Sequence, residues 1–548
     1  MKKWIALLLC LATLVTLLTG CGKKEETVSD QPGAATSGDA AADGVTITIG
    51  LPRSALVTDY DNNAFTNWLE EQTGCNIQFQ YFQASTSDAK TQLSTMMVSG
   101  EKLPDILYNF QLSDDLIKEY GDDGYFLDLR DYYADKEGVS RVFWERLQEI
   151  PEEEQVTNVR RMTDVENGAM YSLPCIQTSD IDTMDYQMWI NQTWLDELNL
   201  QAPTDPDELY EVLKAFKQRD PDCVPLAGIE NSMGGDVINW IVNMFTYCDD
   251  TRRWNVDDNG KLYMPYTTDD YRQALIYMHK LVQEGLMTPL CWTIKIQEMQ
   301  ALTSPADNDP MVGIFAGHLT LHVTPGSEVL YNYKPLDLFG NAVINENINR
   351  RSTFITTDCE NPDAAFALAM ALYSKEAGWH LRYGEQGVNW DYADAGTESY
   401  LGKPAEIKIL DDPFAKLNSC LWGDMAASLL TDAEGESAEK VEGTDAWADY
   451  KNTIVAEQVA NYHAAAEANN PKTLCPPLIQ TTQEKDEILQ IKSDVLTIIN
   501  KCRAQFANGE LDPNDDAAWS NYLAQLDTLG LAQYQAQSQA IYDRQLGK

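Results

Sequence analysis

Cys21 is the residue whose setting most directly implies chemistry. It follows Leu18-Thr19-Gly20, at the end of an uncharged run from Trp4 to Leu18 that begins just after Lys2 and Lys3. A basic start and a short apolar run describe a secretory signal rather than a membrane span. Leu-Thr-Gly-Cys has the form of a bacterial lipobox, in which small residues fit the processing peptidase and the thiol carries the lipid. Residues 1–20 would then be removed, and Cys21 would become an N-terminus holding diacylglycerol. Two acyl chains suffice for stable anchoring where one is marginal. The alternative is a plain cleaved signal with a coincidental cysteine. Either way the chain is expected to act outside the cytoplasmic membrane, away from cytoplasmic nucleotides.

Catalytic signatures are harder to find. There is no phosphate-binding P-loop, no G-x-G-x-x-G, no G-x-S-x-G and no H-E-x-x-H. His318-Leu-Thr-Leu-His322 lacks the Glu of a zinc hydrolase helix. With 85 acidic residues, carboxylate pairs at glycosidase spacing arise by chance and carry no information. Asn255-Val-Asp-Asp-Asn-Gly-Lys261 starts like a calcium loop, but Tyr266 stands where a bidentate Glu is needed, so a hairpin turn is expected. Of eleven cysteines, Cys10 leaves with the signal and Cys21 takes the lipid. The rest are odd in number and scattered without C-x-x-C, and are expected to be mostly free, buried, apolar side chains.

The composition favours a different chemistry. Thirteen tryptophans and many Tyr, Asn and Gln suit sugars, whose C–H faces lie on aromatic planes and whose hydroxyls bond to amides and charged groups. Most of these rings are expected in the core. A net charge of −45 argues against nucleic acid as a partner, since its phosphates would be repelled. The local basic pairs Arg160-Arg161 and Arg350-Arg351 are candidates for a basic pocket, with solvated surface as the alternative.

These side chains need a scaffold. Gly22 to Gly44 is polar and small, with Val28 its only large aliphatic residue, and reads as a flexible tether (21–44 with the lipid cysteine). The body opens as α/β. Val45–Ile49 and Ile77, Phe79 and Tyr81 alternate as strands. Between them Asn63 caps a helix that Gly74 stops. Ser87 opens a second helix, Gly100 stops it, and Leu103–Tyr108 leads into a third strand. Strands alternating with helices imply parallel pairing, with ligands gathering beyond the strands' carboxyl ends. That points to the loops after Ile49 and after Leu107. Further helices are expected from Thr204, around Tyr271–Val282, from Asn361-Pro362, and at 414–430, 446–469, 484–508, 513–527 and 530–545.

Several collinear stretches carry a family resemblance. After the lipobox come Thr46-Ile-Thr-Ile-Gly50, Asn63-Ala-Phe-Thr-Asn-Trp-Leu-Glu-Glu-Gln-Thr-Gly74 and Ser99-Gly-Glu-Lys-Leu-Pro-Asp-Ile-Leu107. Asn167-Gly-Ala-Met-Tyr-Ser-Leu-Pro174, Trp189-Ile-Asn-Gln-Thr-Trp-Leu195 and Pro203–Leu213 follow. Asn361-Pro-Asp-Ala-Ala365, Tyr383-Gly-Glu-Gln-Gly387 and Tyr542-Asp-Arg544 complete the order. Together they resemble family 1 extracellular solute-binding proteins, the lipoprotein receptors of carbohydrate ABC importers. The resemblance implies an α/β, two-lobed periplasmic-binding-protein-like fold of type II, with a helix-rich C-terminal part. One lobe would be 45–174 plus 337–395, the other 175–336 plus 396–548. It implies an oligosaccharide ligand, ABC permease subunits as partners, a lipid anchor on the extracellular face of the cytoplasmic membrane, a monomer, and no catalysis and no cofactor. Carried over by position, the ligand-binding residues would be Arg53 and Ser54, Tyr108 and Asn109, and His318, where a stacking ring is usual. Asn389, Trp390 and Trp422 are further candidates, with Trp240 and Trp292 from the second lobe. Core packing is the alternative for each. Many relatives carry a calcium loop where Asp220-Pro-Asp-Cys-Val-Pro225 stands; this segment is too short, so no metal is expected. A surface glycan-cleaving enzyme and a receptor for peptides or other solutes remain the alternatives.

Overall fold

The computed structural model describes residues 44–547, apart from 55–56, 178–186, 230–235, 249–252, 306–309, 318, 325–326, 337–339, 342–347, 400–403, 411–421, 423–426, 431–453, 455–460 and 462.

The first strand shows how sequence becomes core. In β1 (Thr46–Pro52) Ile47, Ile49 and Leu51 are buried, and the strand pairs in parallel with β2 (Asn76–Phe82) along its whole length. The helix between them, Ala64–Thr73, begins where the Asn63 side chain accepts the Thr66 N–H at 2.9 Å, and ends at Gly74 with φ 69°. Both ends match the reading above. The next helix, Thr86–Ser99, starts slightly earlier than expected because Ser85, not Ser87, caps it. β3 (Ile106–Leu107) then pairs with the opposite edge of β1. Gly50 makes that packing possible: a Cβ there would lie 2.5 Å from Pro104.

Two sheets organise the body. In the first, β4 (Leu173–Gln177), β11 (Ile348–Ile355) and β14 (Ser428–Leu430) join the early strands in the order β14-β4-β11-β3-β1-β2, with β11 antiparallel to both neighbours. In the second, β5 (Gln187–Asn191), β6 (Val224–Ala227), β9 (Val312–Gly317) and β10 (Tyr333–Pro335) run in the order β10-β5-β9-β6. The chain passes from β4 to β5, returns from β10 to β11, and leaves again after β14 for the C-terminal helices. This is the two-lobed α/β fold expected, with a separate large core around each sheet.

Two segments sit differently from the sequence reading. Residues 175–177 lie in the first sheet. So does Ser428–Leu430, where a helix of the other lobe was expected. The strand wins because it covers an edge of β4 that would otherwise lie open, next to helix Arg141–Leu147. There the buried Arg146 guanidinium takes the Leu429 carbonyl at 2.9 Å, and the Ala427 N–H finds Thr353 Oγ1 at 3.2 Å. Buried backbone groups need such partners.

The other elements follow local rules. Helix Pro206–Arg219 is capped by Asp205, whose carboxylate accepts the Glu208 N–H at 2.8 Å while Glu208 reaches back to the Thr204 N–H. The turn between β7 (Asn255–Val256) and β8 (Leu262–Tyr263) is a hairpin, with the Asp257 carboxylate accepting the Asn259 and Lys261 N–H groups, and β12 (Trp390–Tyr392) pairs antiparallel with β13 (Ile407–Ile409). Helices Thr482–Asn508, Asp516–Thr528 and Leu531–Gln545 form the helix-rich C-terminal part; a reciprocal Thr481–Glu484 capping box opens the first.

Candidate ligand-binding site

The chain leaves β1 for β2 on one side, then crosses to β3 on the other. The loops after β1 and β3 therefore flank a switch in winding direction, the place where open α/β sheets bind ligands. The Tyr108 N–H donates to the Gly50 carbonyl at 2.8 Å, which holds the two loops together.

At this end Arg53 is exposed and Ser54 partly so. The Ser54 N–H donates to the Tyr60 hydroxyl at 2.8 Å. Burial pushes the Tyr60 phenol above its usual range, and the Ser54 bond only partly offsets it. The Arg53 guanidinium carbon lies 5.4 Å from the centre of the Tyr81 ring, a cation–π arrangement. Tyr81, the penultimate residue of β2, is 41% exposed. Asn109 is half-buried in the left-handed region (φ 63°), which Asn tolerates, and its side-chain oxygen accepts from Gln111 Nε2 at 3.3 Å.

Beneath this rim lies an aromatic floor. Trp422 packs against Phe65 (4.8 Å between ring centres), Phe79 (5.0 Å), Tyr108 (5.8 Å) and Tyr60 (6.4 Å), and its indole N–H reaches Asn63 Oδ1 at 3.4 Å. Trp422 and Tyr108 are each 1% exposed. They lie beneath the strand-end loops, and Tyr81 is the ring that the rim leaves exposed.

The remaining candidates lie elsewhere. Trp390 is fully buried; its N–H donates to the Gly384 carbonyl at 2.9 Å, and it packs on Trp379 and His380. Asn389 closes the adjoining turn, accepting the Glu385 N–H at 2.9 Å. Trp240 is buried in the second core, and Trp292 is half-buried against it. His318 falls outside the described residues. The structure thus gathers Arg53, Ser54, Tyr108, Asn109 and Trp422, and keeps Asn389, Trp390, Trp240 and Trp292 in other packing environments. Tyr81 and Tyr60 join the group without having been singled out. The available signal for Tyr81 was its place as the last alternating ring of a parallel strand, close to the carboxyl end.

No family model matches the chain. A fructooligosaccharide ABC transporter substrate-binding protein of Streptococcus pneumoniae, FusA, is 22% identical over 588 residues, covering 97% of each chain. Lipoprotein LipO of Bacillus subtilis is 27% identical over 327 residues, 58% of this chain and 55% of its own. Among solved structures, FusA in complex with kestose superposes with a TM-score of 0.68 at 21% identity, covering 92% of this chain and all of that one (100%). An extracellular solute-binding protein of Bifidobacterium longum subsp. infantis gives 0.72 at 18% identity, covering 92% of this chain and 99% of its own. End-to-end likeness in sequence and fold bears out the resemblance read from the residues alone, that of a family 1 extracellular solute-binding protein.

Proposed function

We propose that this chain is a lipid-anchored receptor that captures an oligosaccharide between its two lobes, outside the cell, and presents it to an ABC permease without chemical change. One lobe is built on the first sheet, including 175–177 and 428–430; the other is built on the second sheet and the C-terminal helices. Cys21 carries the anchor, 22–44 the leash, and the receptor works as a monomer. The observation that carries this reading is the collinear similarity to FusA, a fructooligosaccharide-binding protein, over 97% of the chain. The rim of Arg53, Ser54, Tyr81 and Asn109 supplies suitable recognition groups: a ring face for C–H surfaces, and a guanidinium, hydroxyl and amide for sugar hydroxyls. A ligand that touches both lobes favours closure through its differential affinity for the closed form.

Titration calorimetry against fructooligosaccharides, N-glycans and human-milk-type oligosaccharides tests the reading, together with small-angle scattering and chromatography of the sugar afterwards. We expect saturable binding by one class, contraction of the scattering profile and intact sugar. Micromolar affinity would correspond to about −8 kcal/mol. Absence of binding across all classes, or release of cleaved sugar, would overturn it.

A further inference from the structure

A cavity of about 470 Å³ opens between the first-sheet half and the C-terminal helices. That volume lies within the range of small-molecule sites. None of the strand-end residues discussed above lines it. One wall is the start of helix Asp114–Asp122, the turn at 161–166 and Arg351 of β11. The other is Arg253, the segment 477–492 and the Tyr534–Ser538 face of helix Leu531–Gln545.

Its charge runs against that of the whole molecule. The chain carries −45, yet the two walls together hold six basic side chains and four carboxylates. Arg161 and Arg351, one from each basic pair in the sequence, are both among them. The carboxylates are already engaged. Asp114 pairs with Arg351 and Asp115 with Lys485, while Lys118 holds Asp164 at 3.2 Å and Glu166 at 3.0 Å. Glu166 also accepts from Thr482 Oγ1 at 3.0 Å. Arg253 and Lys492 have no carboxylate partner among the described residues.

These two cations are close enough to disfavour each other. Burial lowers the Lys492 pKa, and the charges of Arg253 and Lys485 lower it further. Such an arrangement is held at a cost unless a counter-charge enters. A second, independent observation points the same way. Ser538 is fully buried on the same wall as Arg253 and Lys492, and its hydroxyl has no hydrogen-bond partner among the described residues. Buried hydroxyls without partners are uncommon and call for one.

We propose that this cavity is a second binding site, for an oxyanion held by Arg253, Lys492 and the Ser538 hydroxyl. The oxyanion is a carboxylate, sulfate or phosphate, either free or borne by a sugar. The planar guanidinium suits two oxygens at once, the ammonium supplies a point charge, and the serine donates a third bond. The site does not depend on sugar capture at the strand ends.

Calorimetry on the whole chain in detergent decides it, using sodium sulfate, sodium phosphate, trigalacturonic acid and the neutral trisaccharide kestose, with ionic strength held constant by chloride. We expect saturable binding of at least one oxyanion, weakened tenfold or more by Arg253→Gln and by Lys492→Met. Binding of the free ions assigns the site to them; binding of trigalacturonate alone assigns it to a sugar-borne carboxylate. Lys492→Met keeps the apolar stem and removes a like charge, so its melting temperature should not fall; it decides the matter if Arg253→Gln folds poorly. The proposal is overturned if no oxyanion gives heat beyond chloride, or if Lys492→Met binds as tightly as the parent. Neutral-sugar binding, present or absent, reports on the receptor reading alone.

Discussion

Tyr108 and Trp422, far apart in the chain, meet edge to face with ring centres 5.8 Å apart and planes at 80°. Both carried the expectation of ligand contact, and both lie in the floor beneath the strand-end loops. The Trp422 ring is shared among Phe65, Phe79, Tyr60 and Tyr108, so it ties β2, β3 and helix Ala64–Thr73 to a segment near β14. Trp422→Ala should therefore cost about 3–5 kcal/mol of stability, the usual loss for a large buried aromatic. Urea unfolding measures it. A loss below about 1 kcal/mol would mean the ring is not the keystone of this cluster.

Tyr81 should behave in the opposite way. It is exposed, and its ring faces Arg53 across 5.4 Å. Tyr81→Ala is expected to change stability by less than about 1 kcal/mol, since little burial is lost. It should weaken binding of whichever oligosaccharide the wild type takes by about tenfold, roughly the worth of one well-placed ring contact. Arg53→Ala should fall in the same direction. Calorimetry with unchanged affinity in both variants would move the sugar site away from this end of the sheet.

The contrast shows what was readable in the sequence. Cap residues and helix stops are local: Asn63, Gly74 and Gly100 determine their turns whatever surrounds them, and they were legible. The parallel order of β1 to β3 follows from strand–helix alternation, so the switch point and its two loops were legible too. Burial was not. Tyr108 follows β3 as a polar-tipped aromatic, and nothing in its neighbours says that Trp422 will cover it. Ser428–Leu430 reads as part of a helical run, but the open edge of β4 and the Arg146 guanidinium draw it into the first sheet. Such outcomes depend on partners hundreds of residues away, which periodicity cannot report. The cation-rich cavity was half legible: the basic pairs were visible, while their convergence with Arg253 and Lys492 was not.

His380 gives a pH-dependent readout. It stacks on Trp68 at 4.8 Å, meets Trp390 edge-on at 5.3 Å, and its Nδ1 lies 3.1 Å from the Gly384 carbonyl. Burial pushes its pKa below the ordinary value of about 6.5; the Gly384 carbonyl and the Glu376 charge pull the other way without prevailing. The folded chain thus binds fewer protons than the unfolded chain between those two values. This contribution to stability is complete above the unfolded pKa and declines as pH falls through the folded one. Acidification from pH 7.5 to 5 should lower the urea midpoint, and His380→Gln should flatten that dependence. An identical slope in the variant would show that other groups carry it.

The cysteines supply the last test. The eight described ones, Cys75, Cys175, Cys223, Cys248, Cys291, Cys359, Cys475 and Cys502, are free thiols, as expected from their scatter. All but Cys359 are buried. Burial pushes the Cys223 thiol up to about 11 and those of Cys291 and Cys359 up to about 12, with Asp105 adding to the rise at Cys359. The thiolate is the reactive form, so even the half-exposed Cys359 should be sluggish at pH 8. In a soluble form starting at residue 21, with Cys21→Ser and Cys420→Ser, a chromogenic thiol reagent should find almost no fast-reacting group in the native state and eight after denaturation. A count below eight in denaturant without reductant would reveal a disulfide. A fast native thiol would show that one of these cores opens far more readily than its packing implies.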